Sequence, residues 1–416
     1  MSKKSKKSPA LSHEYPTRER LNELLKKASS AQDDDKNSEL LYQLEKYGRE
    51  LANDEDQKVA AYHFKRAVKE FQDMTHAQQD RTQELYLLIS SGQTYATLGL
   101  TQDAETSYEQ ALQLSTDLTM DLLKARTLRL LGNLKLQQTD SKAAIKYFEQ
   151  SIDLCQQTGE PLEEAYSLNS LAAAYFQKAA WRKMETACEQ ALAIAEKLDE
   201  NELAGCAYNN LGAMYSLRGQ KQKALIAFQK CLPLFEMAGD QRGLAEAYNN
   251  MATLYRDQDM WHDAGKCYSL SIQFSDRVGD VLAKANAMLN RVELYILMYD
   301  LELARENCIK SMQTFYQLGY KFGEADACKL MGVIYTKEEQ WELAAKYFDE
   351  SVEINLSSAN AFGLAETYKS YADYFVARGQ NDQAFEMLEN AKEQFRKVKA
   401  TQKVRQIDKL VKSLQS

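Results

Sequence analysis

Apolar residues recur along most of the chain at spacings of three and four, and charged or polar residues fill the positions between them. Such spacings place apolar side chains on one face of an α-helix, whereas a half-buried strand alternates apolar and polar residues. Polar turns such as Gly239–Asp240 and Gly279–Asp280 interrupt the pattern. Glycine is a common helix terminator and aspartate a common cap for the next helix. The pattern therefore predicts an all-α chain of short helices joined by tight turns.

The helical pattern repeats with a period of 40 residues over most of the chain. Tyr208–Tyr215 reads YNNLGAMY, and Tyr248–Tyr255 reads YNNMATLY. The first helix of each copy carries a small or aliphatic residue at one fixed position. These residues are Gly48, Gly92, Gly132, Ala172, Gly212, Ala252, Val292, Gly332 and Ala372. A fixed repeat determines the fold, because one helix pair cannot bury its own apolar face and must stack on the next.

Large side chains accompany the small ones in many copies. Phe148, Phe228 and Phe348 each follow a small position of the first helix at the same distance in sequence. A small residue lets two helix backbones approach closely, and a large apolar side chain fills the space beside it. The spacing predicts that the two helices of each copy pack as an antiparallel pair.

The small–large–small set of Gly212, Tyr215, Ala224, Phe228 and Cys231 resembles the tetratricopeptide repeat family. The repeats of that family are usually about 34 residues long. The longer form seen in this chain, with its Gly-Asp turns, resembles the repeats of the Partner-of-Inscuteable adaptors. Kinesin light chains and bacterial peptide-sensing regulators have related long forms. The resemblance implies a right-handed α-solenoid of eight or nine helix pairs whose concave side binds peptides.

The chain divides into four predicted segments. Residues 1–15 are basic and without period, which predicts a disordered tail. Residues 16–37 are expected to form a short helix and a turn, residues 38–400 the repeat array, and residues 401–416 a capping helix on the last copy. The final helix is amphipathic, so a membrane-surface helix is the alternative interpretation.

Charge is distributed unevenly along the chain. The formal net charge is −8, although residues 1–8 and 392–412 are both rich in lysine or arginine. The body between these basic ends is therefore strongly acidic. An acidic body disfavours nonspecific nucleic-acid binding and favours basic or neutral partners.

The seven cysteines include no C-x-x-C pair, and no apolar segment is long enough for a signal peptide or a membrane span. This usage favours reduced cysteines in helix interfaces of a cytoplasmic protein, without membrane insertion. The four histidines show no metal-ligand spacing, and none of the common catalytic motifs is present. We therefore expect a chain that is not an enzyme and that needs no metal or other cofactor.

Asparagines occupy one position of the first helix in three successive copies. Asn210, Asn250 and Asn290 lie two residues before the small position, and Asn209 and Asn249 precede the first two of them. An amide both donates and accepts hydrogen bonds, so it can hold the backbone of an extended peptide whatever its side chains are. In the resembling families such asparagines clamp bound peptide. The alternative is that these amides bond neighbouring helices or water.

Basic residues lie near the asparagines in the repeat pattern. Arg256 and Lys329 are candidate groove cations that could select acidic residues of a ligand. The alternative is that they pair with the acidic body of the chain. The Lys-plus-Asn clamp that some members of the resembling family use to bind a C-terminal carboxylate is missing here. Arg129 and Asn133 begin that pattern, but the next expected positions hold Ser170, Cys206 and Asn210.

These observations predict a monomeric, non-catalytic scaffold or adaptor that binds a protein or peptide segment in its concave groove. A peptide-switched regulator is the alternative function, in which a bound peptide compacts the array. Self-assembly through the ends of the array is a third interpretation, which the polar capping helix disfavours.

Overall fold

The computed structural model describes residues 81–97, 99–398 and 400–415, together with Lys65, Val68 and Lys69. The predicted tail at residues 1–15, the short helix at 16–37 and most of the first predicted copy lie outside the described residues.

The described residues form α-helices joined by short turns, and no strand occurs among them. The all-α prediction is therefore confirmed. The helices are α1 (Arg81–Thr97), α2 (Thr101–Asp117), α3 (Asp121–Gln137), α4 (Ser141–Thr158), α5 (Pro161–Gln177), α6 (Trp181–Leu198), α7 (Asn201–Leu217), α8 (Lys221–Ala238), α9 (Gln241–Arg256), α10 (Trp261–Arg277), α11 (Val281–Leu297), α12 (Leu301–Gln317), α13 (Lys321–Lys337), α14 (Trp341–Ser357), α15 (Ala361–Ala377), α16 (Asn381–Lys397) and α17 (Thr401–Gln415).

The chain separates into two compact units, one up to Ser170 and one from Leu171 onward. In the first unit, α1 packs on α2 and α3 packs on α4. In the second unit, α7 packs on α8, and the same pairing continues for α9 with α10, α11 with α12, α13 with α14, and α15 with α16. Each pair also contacts the next within its unit, as expected for stacked helix pairs.

The last helix, α17, packs on α16 at the end of the second unit. Ile407 is 1% exposed, and Val404, Val411 and Leu414 pack partly buried against the same apolar cluster as Phe395. The apolar stripe of this amphipathic helix therefore faces protein.

Fifteen turns share one backbone geometry at a spacing of 20 residues. A residue with positive φ stands at Gly99, Thr119, Thr139, Gly159, Ala179, Asp199, Gly219, Gly239, Asp259, Gly279, Tyr299, Gly319, Glu339, Ala359 and Gly379. The next backbone N–H then donates back across the helix end, for example from Asp300 to the carbonyl oxygen of Tyr295 at 2.9 Å. This bond closes the helix as in a Schellman motif. The two predicted Gly-Asp turns have this geometry, and the Asp240 and Asp280 side chains cap the following helices.

The two helices of a pair meet where a small residue faces a large one. A Cβ atom built on Gly212 would lie 2.5 Å from the ring of the fully buried Phe228, and one on Gly332 would lie 2.8 Å from the ring of Phe348. Where the first helix carries the larger Val292, the corresponding residue of the second helix is the smaller Cys308. At these three pairs the larger residue of one helix thus corresponds to a smaller residue of the other, so their volumes compensate each other.

We predict that Gly212→Val destabilises the fold by about 1–3 kcal/mol, because the new side chain overpacks against the ring of Phe228. The double variant Gly212→Val/Phe228→Cys reproduces the native Val292 and Cys308 pair. Denaturation of the wild type, both single variants and the double variant should reveal a favourable coupling of about 1 kcal/mol or more. Additive effects of the two substitutions would contradict the compensation.

A buried serine of the second helix bonds across the stack at two equivalent places. Ser351 Oγ donates to the carbonyl oxygen of Ala325 at 2.8 Å and lies 2.9 Å from Thr367 Oγ1. Ser151 does the same with Ala125 and Ser167. At one of the equivalent positions between them, Ser311 is fully buried, and its hydroxyl has no hydrogen-bond partner among the described residues.

We predict that substitution by alanine affects the free energy of unfolding differently at Ser351 and at Ser311. Ser351→Ala should lower the free energy of unfolding by about 1–2 kcal/mol, because it removes two buried hydrogen bonds. Ser311→Ala should leave stability unchanged or raise it, since it removes an unpaired buried hydroxyl. Urea denaturation of both variants measures the difference, and equal losses would contradict this account.

Candidate peptide-binding face

The predicted asparagines form hydrogen bonds between successive first helices of the second unit. Asn250 Nδ2 on α9 donates to Asn209 Oδ1 on α7 at 3.1 Å. Asn290 Nδ2 on α11 donates to Asn249 Oδ1 on α9 at 3.1 Å. We call these four residues the asparagine row.

The bonds of the row do not join equivalent positions of successive copies. Asn250 bonds Asn209 rather than Asn210, and Asn290 bonds Asn249 rather than Asn250. Facing positions on successive first helices are therefore offset by one residue. The structure thus contains the bonds between neighbouring helices that the alternative interpretation of these asparagines requires.

Part of the asparagine row reaches the surface. Asn209 is only 3% exposed, whereas Asn249, Asn250 and Asn290 are partly exposed, as is the neighbouring Asn210. The bonds along the row use Nδ2 of Asn250 and Asn290. The carbonyl oxygens of these two amides are not used by the row itself, and such an oxygen can accept from an N–H donor.

Both candidate cations pair with acids of the chain itself. Arg256 on α9 forms ion pairs with Glu293 on α11 and with Asp257, and its side chain is 14% exposed. Burial acts to lower the pKa of the Arg256 guanidinium, but the negative charges of Glu293 and Asp257 outweigh it, so the pKa is raised. Its positive charge is thus balanced within the chain.

Lys329 on α13 is balanced in the same way. Its Nζ lies 2.9 Å from Asp326 Oδ1, and its side chain is 14% exposed. Burial acts to lower the pKa of the Lys329 ammonium, but Asp326 and the more distant Glu293 and Glu366 raise it above its ordinary value. In the first unit, Arg129 pairs with the buried Glu163.

Glu246 on α9 extends the asparagine row and was not among the predicted residues. Asn209 Nδ2 donates to Glu246 Oε1 at 3.0 Å. The Glu246 side chain is exposed to water. Protein nevertheless surrounds it closely enough that desolvation raises the pKa of the carboxyl, and the negative charge of Asp240 raises it further. One signal in the sequence could have found it, since residues 246, 249 and 250 share one face of a helix by their spacings of three and four.

Equivalent acids in later copies differ from Glu246 in their partners. Asp326 on α13 pairs with Lys329, and Glu366 on α15 pairs with Lys403 at 2.6 Å. Among the ion pairs of the residues that the structure describes, none includes Glu246.

The described part of the chain contains neither a candidate metal site nor a candidate membrane span. No group of three or more histidine, cysteine, aspartate or glutamate side chains there could hold a metal ion. None of the described helices is both long enough and apolar enough to cross a membrane.

Comparison with known families assigns the repeats of the first part of the chain. Residues 83–157 and 163–237 match the tetratricopeptide repeat model. Over these two segments the chain is similar to tetratricopeptide repeats. Residues 238–406 match the model of the soluble NSF attachment protein, SNAP. By sequence, no curated protein matches the chain. The resemblance to the Partner-of-Inscuteable subtype stays a prediction.

Solved structures share the helical fold at low sequence identity. Aspartyl phosphate phosphatase F from Bacillus subtilis is 14% identical, with a TM-score of 0.56, and the match covers 88% of this chain and 95% of that one. The apo form of the quorum sensor NprR from B. thuringiensis is 16% identical, with a TM-score of 0.56, and the match covers 86% and 99%.

A third structure contains a tetratricopeptide repeat sensor by name. It is a signal transduction ATPase with numerous domains from Pyrococcus horikoshii, 15% identical with a TM-score of 0.53. The match covers 84% of this chain and 55% of that one. At such identities the likeness shows the fold of stacked helix pairs.

The carboxylate of Glu246 predicts a pH-dependent stability difference. Asn209, Asp240, Cys206 and Cys231 are the neighbouring groups that interact with it, and none of them is a cation. Because folding raises the pKa of Glu246, the ionised form opposes folding above that pKa. The penalty disappears once the pH falls below the ordinary glutamate value of about 4.3.

We predict that Glu246→Gln is more stable than the wild type at pH 7, since glutamine keeps an acceptor for Asn209 without the charge. The difference should shrink as the pH falls to about 4, as measured by urea denaturation at several pH values. Glu306→Gln is the control, because the Lys310 side chain lowers the pKa of Glu306 and gives the opposite sign. A Glu246→Gln variant less stable than the wild type at pH 7 would contradict the unpaired carboxylate.

Proposed function

We propose that the chain is a non-catalytic adaptor that binds an extended segment of a partner protein along the asparagine row. The observation that carries this proposal is the pair of bonds from Asn250 to Asn209 and from Asn290 to Asn249. These bonds hold partly exposed amides in defined orientations on successive helices. The ordering of these side chains is therefore largely complete before a ligand binds, and preorganisation of this kind favours affinity.

The spacing of the row suits an extended backbone. Packed helices lie about 8–10 Å apart, and an extended chain rises about 3.3 Å per residue. A peptide that crosses α7, α9 and α11 would therefore meet a new helix about every three residues. The carbonyl oxygens of Asn250 and Asn290 could accept from its backbone N–H groups, which would give affinity without dependence on its side chains.

Two acids on first helices combine exposure to water with closely surrounding protein. Glu246 on α9 and Asp373 on α15 are both exposed to water. Desolvation by the surrounding protein nevertheless raises the pKa of both carboxyls. Such partly enclosed positions are consistent with the concave surfaces that stacked helix pairs form, where ligands usually bind.

The repeats and the fold support an interaction protein. Tetratricopeptide repeats stack into extended concave binding surfaces, and two segments of this chain are similar to such repeats. Proteins of the same fold include a quorum sensor and a protein with a repeat sensor. The observations favour binding of a protein or peptide segment over catalysis.

A display selection tests this proposal. Random 12-residue peptides would be selected on the full-length chain, and their affinities measured by fluorescence polarisation. We predict that Asn250→Ala/Asn290→Ala lowers the affinity of the selected peptides at least about tenfold, since two backbone contacts are lost. Circular dichroism should show unchanged helical content.

Asn381→Ala is the matched control, because Asn381 is exposed at the start of the second helix α16. It should bind the selected peptides as the wild type does. Failure to select any peptide, or equal affinity of the double variant and the wild type, would refute the proposed function.

Peptide-switched regulation is a second candidate function, favoured by the shared fold with the quorum sensor NprR. Small-angle scattering with and without a selected peptide separates the two functions. An adaptor keeps the same radius of gyration when the peptide binds, whereas a switch of this kind becomes more compact.

A further inference from the structure

The charge of the bound segment can be inferred from the residues beside the asparagine row, and this inference rests on the proposed peptide binding. The bonds Asn250 to Asn209 and Asn209 to Glu246 form one continuous chain at 3.1 and 3.0 Å. Glu246, on α9, therefore adjoins the row at Asn209, the member of the row that lies on α7. Its Oε1 is held by Asn209, and its carboxylate is exposed to any ligand on this face.

The surroundings of Glu246 are negative. Asp240 and Glu202 interact with the same thiol, Cys206, as Glu246 does. Asp240 Oδ1 accepts from the first backbone N–H groups of α9 and so belongs to the helix cap. The nearby Arg242 forms an ion pair with Asp280 at 3.2 Å. None of the ion pairs among the described residues brings a cation to Glu246 or Glu202.

The acids equivalent to Glu246 in two later copies have lysine partners. Asp326 and Glu366 lie 80 and 120 residues after Glu246, at equivalent positions of α13 and α15. Lys329 neutralises the first of these acids and Lys403 the second. At Glu246 the chain supplies an amide in place of a lysine.

We propose that Glu246 receives the positively charged side chain of an arginine or lysine of the bound segment, next to the backbone contacts of Asn250 and Asn290. Arginine fits best, because its planar guanidinium can donate two parallel hydrogen bonds to one carboxylate. A charge-assisted bond to a partly desolvated carboxylate is stronger than one in open solvent. The ligand cation thus completes the ion pair that the chain completes for itself at Asp326 and Glu366.

The ion pairs of Arg256 and Lys329 argue against an acidic ligand. Arg256 and Lys329 were candidates for selecting acidic ligand residues, but each already has a carboxylate partner in the chain. An acidic ligand would have to displace these partners and would also approach the negative region around Glu246. The preference inferred from the structure is therefore for a basic segment.

The test uses the peptides selected on the full-length chain. We predict that arginine or lysine is enriched at one fixed position among them. Glu246→Gln should lower the affinity of the highest-ranked peptide about tenfold or more, which is typical for loss of a charge-assisted hydrogen bond. The peptide with glutamine in place of that arginine should bind equally weakly to the wild type and to the variant.

Two controls separate the local charge from the net charge. Glu306→Gln changes the net charge by the same amount, but Glu306 lies on the second helix α12, where it pairs with Lys310 in solvent. It should leave the affinity within about twofold of the wild type. Glu246→Arg should bind the peptide with glutamate in place of the arginine better than the original peptide.

Each result decides between the two proposals. Selected peptides that depend on Asn250 and Asn290 but show no basic residue, or that bind Glu246→Gln as well as the wild type, overturn this inference and leave the proposed function intact. If no peptide is selected, the proposed function fails and the inference fails with it.

Discussion

The contact between a small residue of one helix and a large residue of the next determines how the helix pairs assemble. Gly212 admits the ring of Phe228, and Gly332 admits that of Phe348. Because this contact sets how closely and at which height two helices meet, it also sets the register of the pair. The turns of the described chain then fall at intervals of 20 residues. In the second unit, this register brings α7, α9 and α11 side by side and so allows the asparagine row to form.

Much of the fold follows from the sequence because the 40-residue repeat shows which positions are small, large or polar. The Gly-Asp turns at residues 239–240 and 279–280 were predicted from residue type, and their geometry agrees. The turns at Tyr299 and Glu339 have the same positive φ without glycine. Side chains with a Cβ atom disfavour this left-handed conformation, so packing of the pairs must impose it. Local propensity therefore could not predict these two turns.

Less of the candidate site could be predicted, since its geometry depends on distances between helices. The asparagines stand out in sequence, but the one-residue offset that joins Asn250 to Asn209 is a property of helix stacking. The pairing of Arg256 with Glu293 spans 37 positions, so composition cannot decide it. Glu246 is one glutamate among many acids, and only its bond to Asn209 and the lysine partners of Asp326 and Glu366 distinguish it.

In the proposed function, the amides of the asparagine row contact the backbone of a bound peptide. The most direct measurement is nuclear magnetic resonance of the full chain labelled with nitrogen-15 only at asparagine, with the side-chain amide signals assigned by substitution. A selected peptide should shift the Asn250 and Asn290 signals and leave that of Asn381, at the start of α16, in place. Binding of the peptide without any change at Asn250 and Asn290 would show that these amides do not contact it.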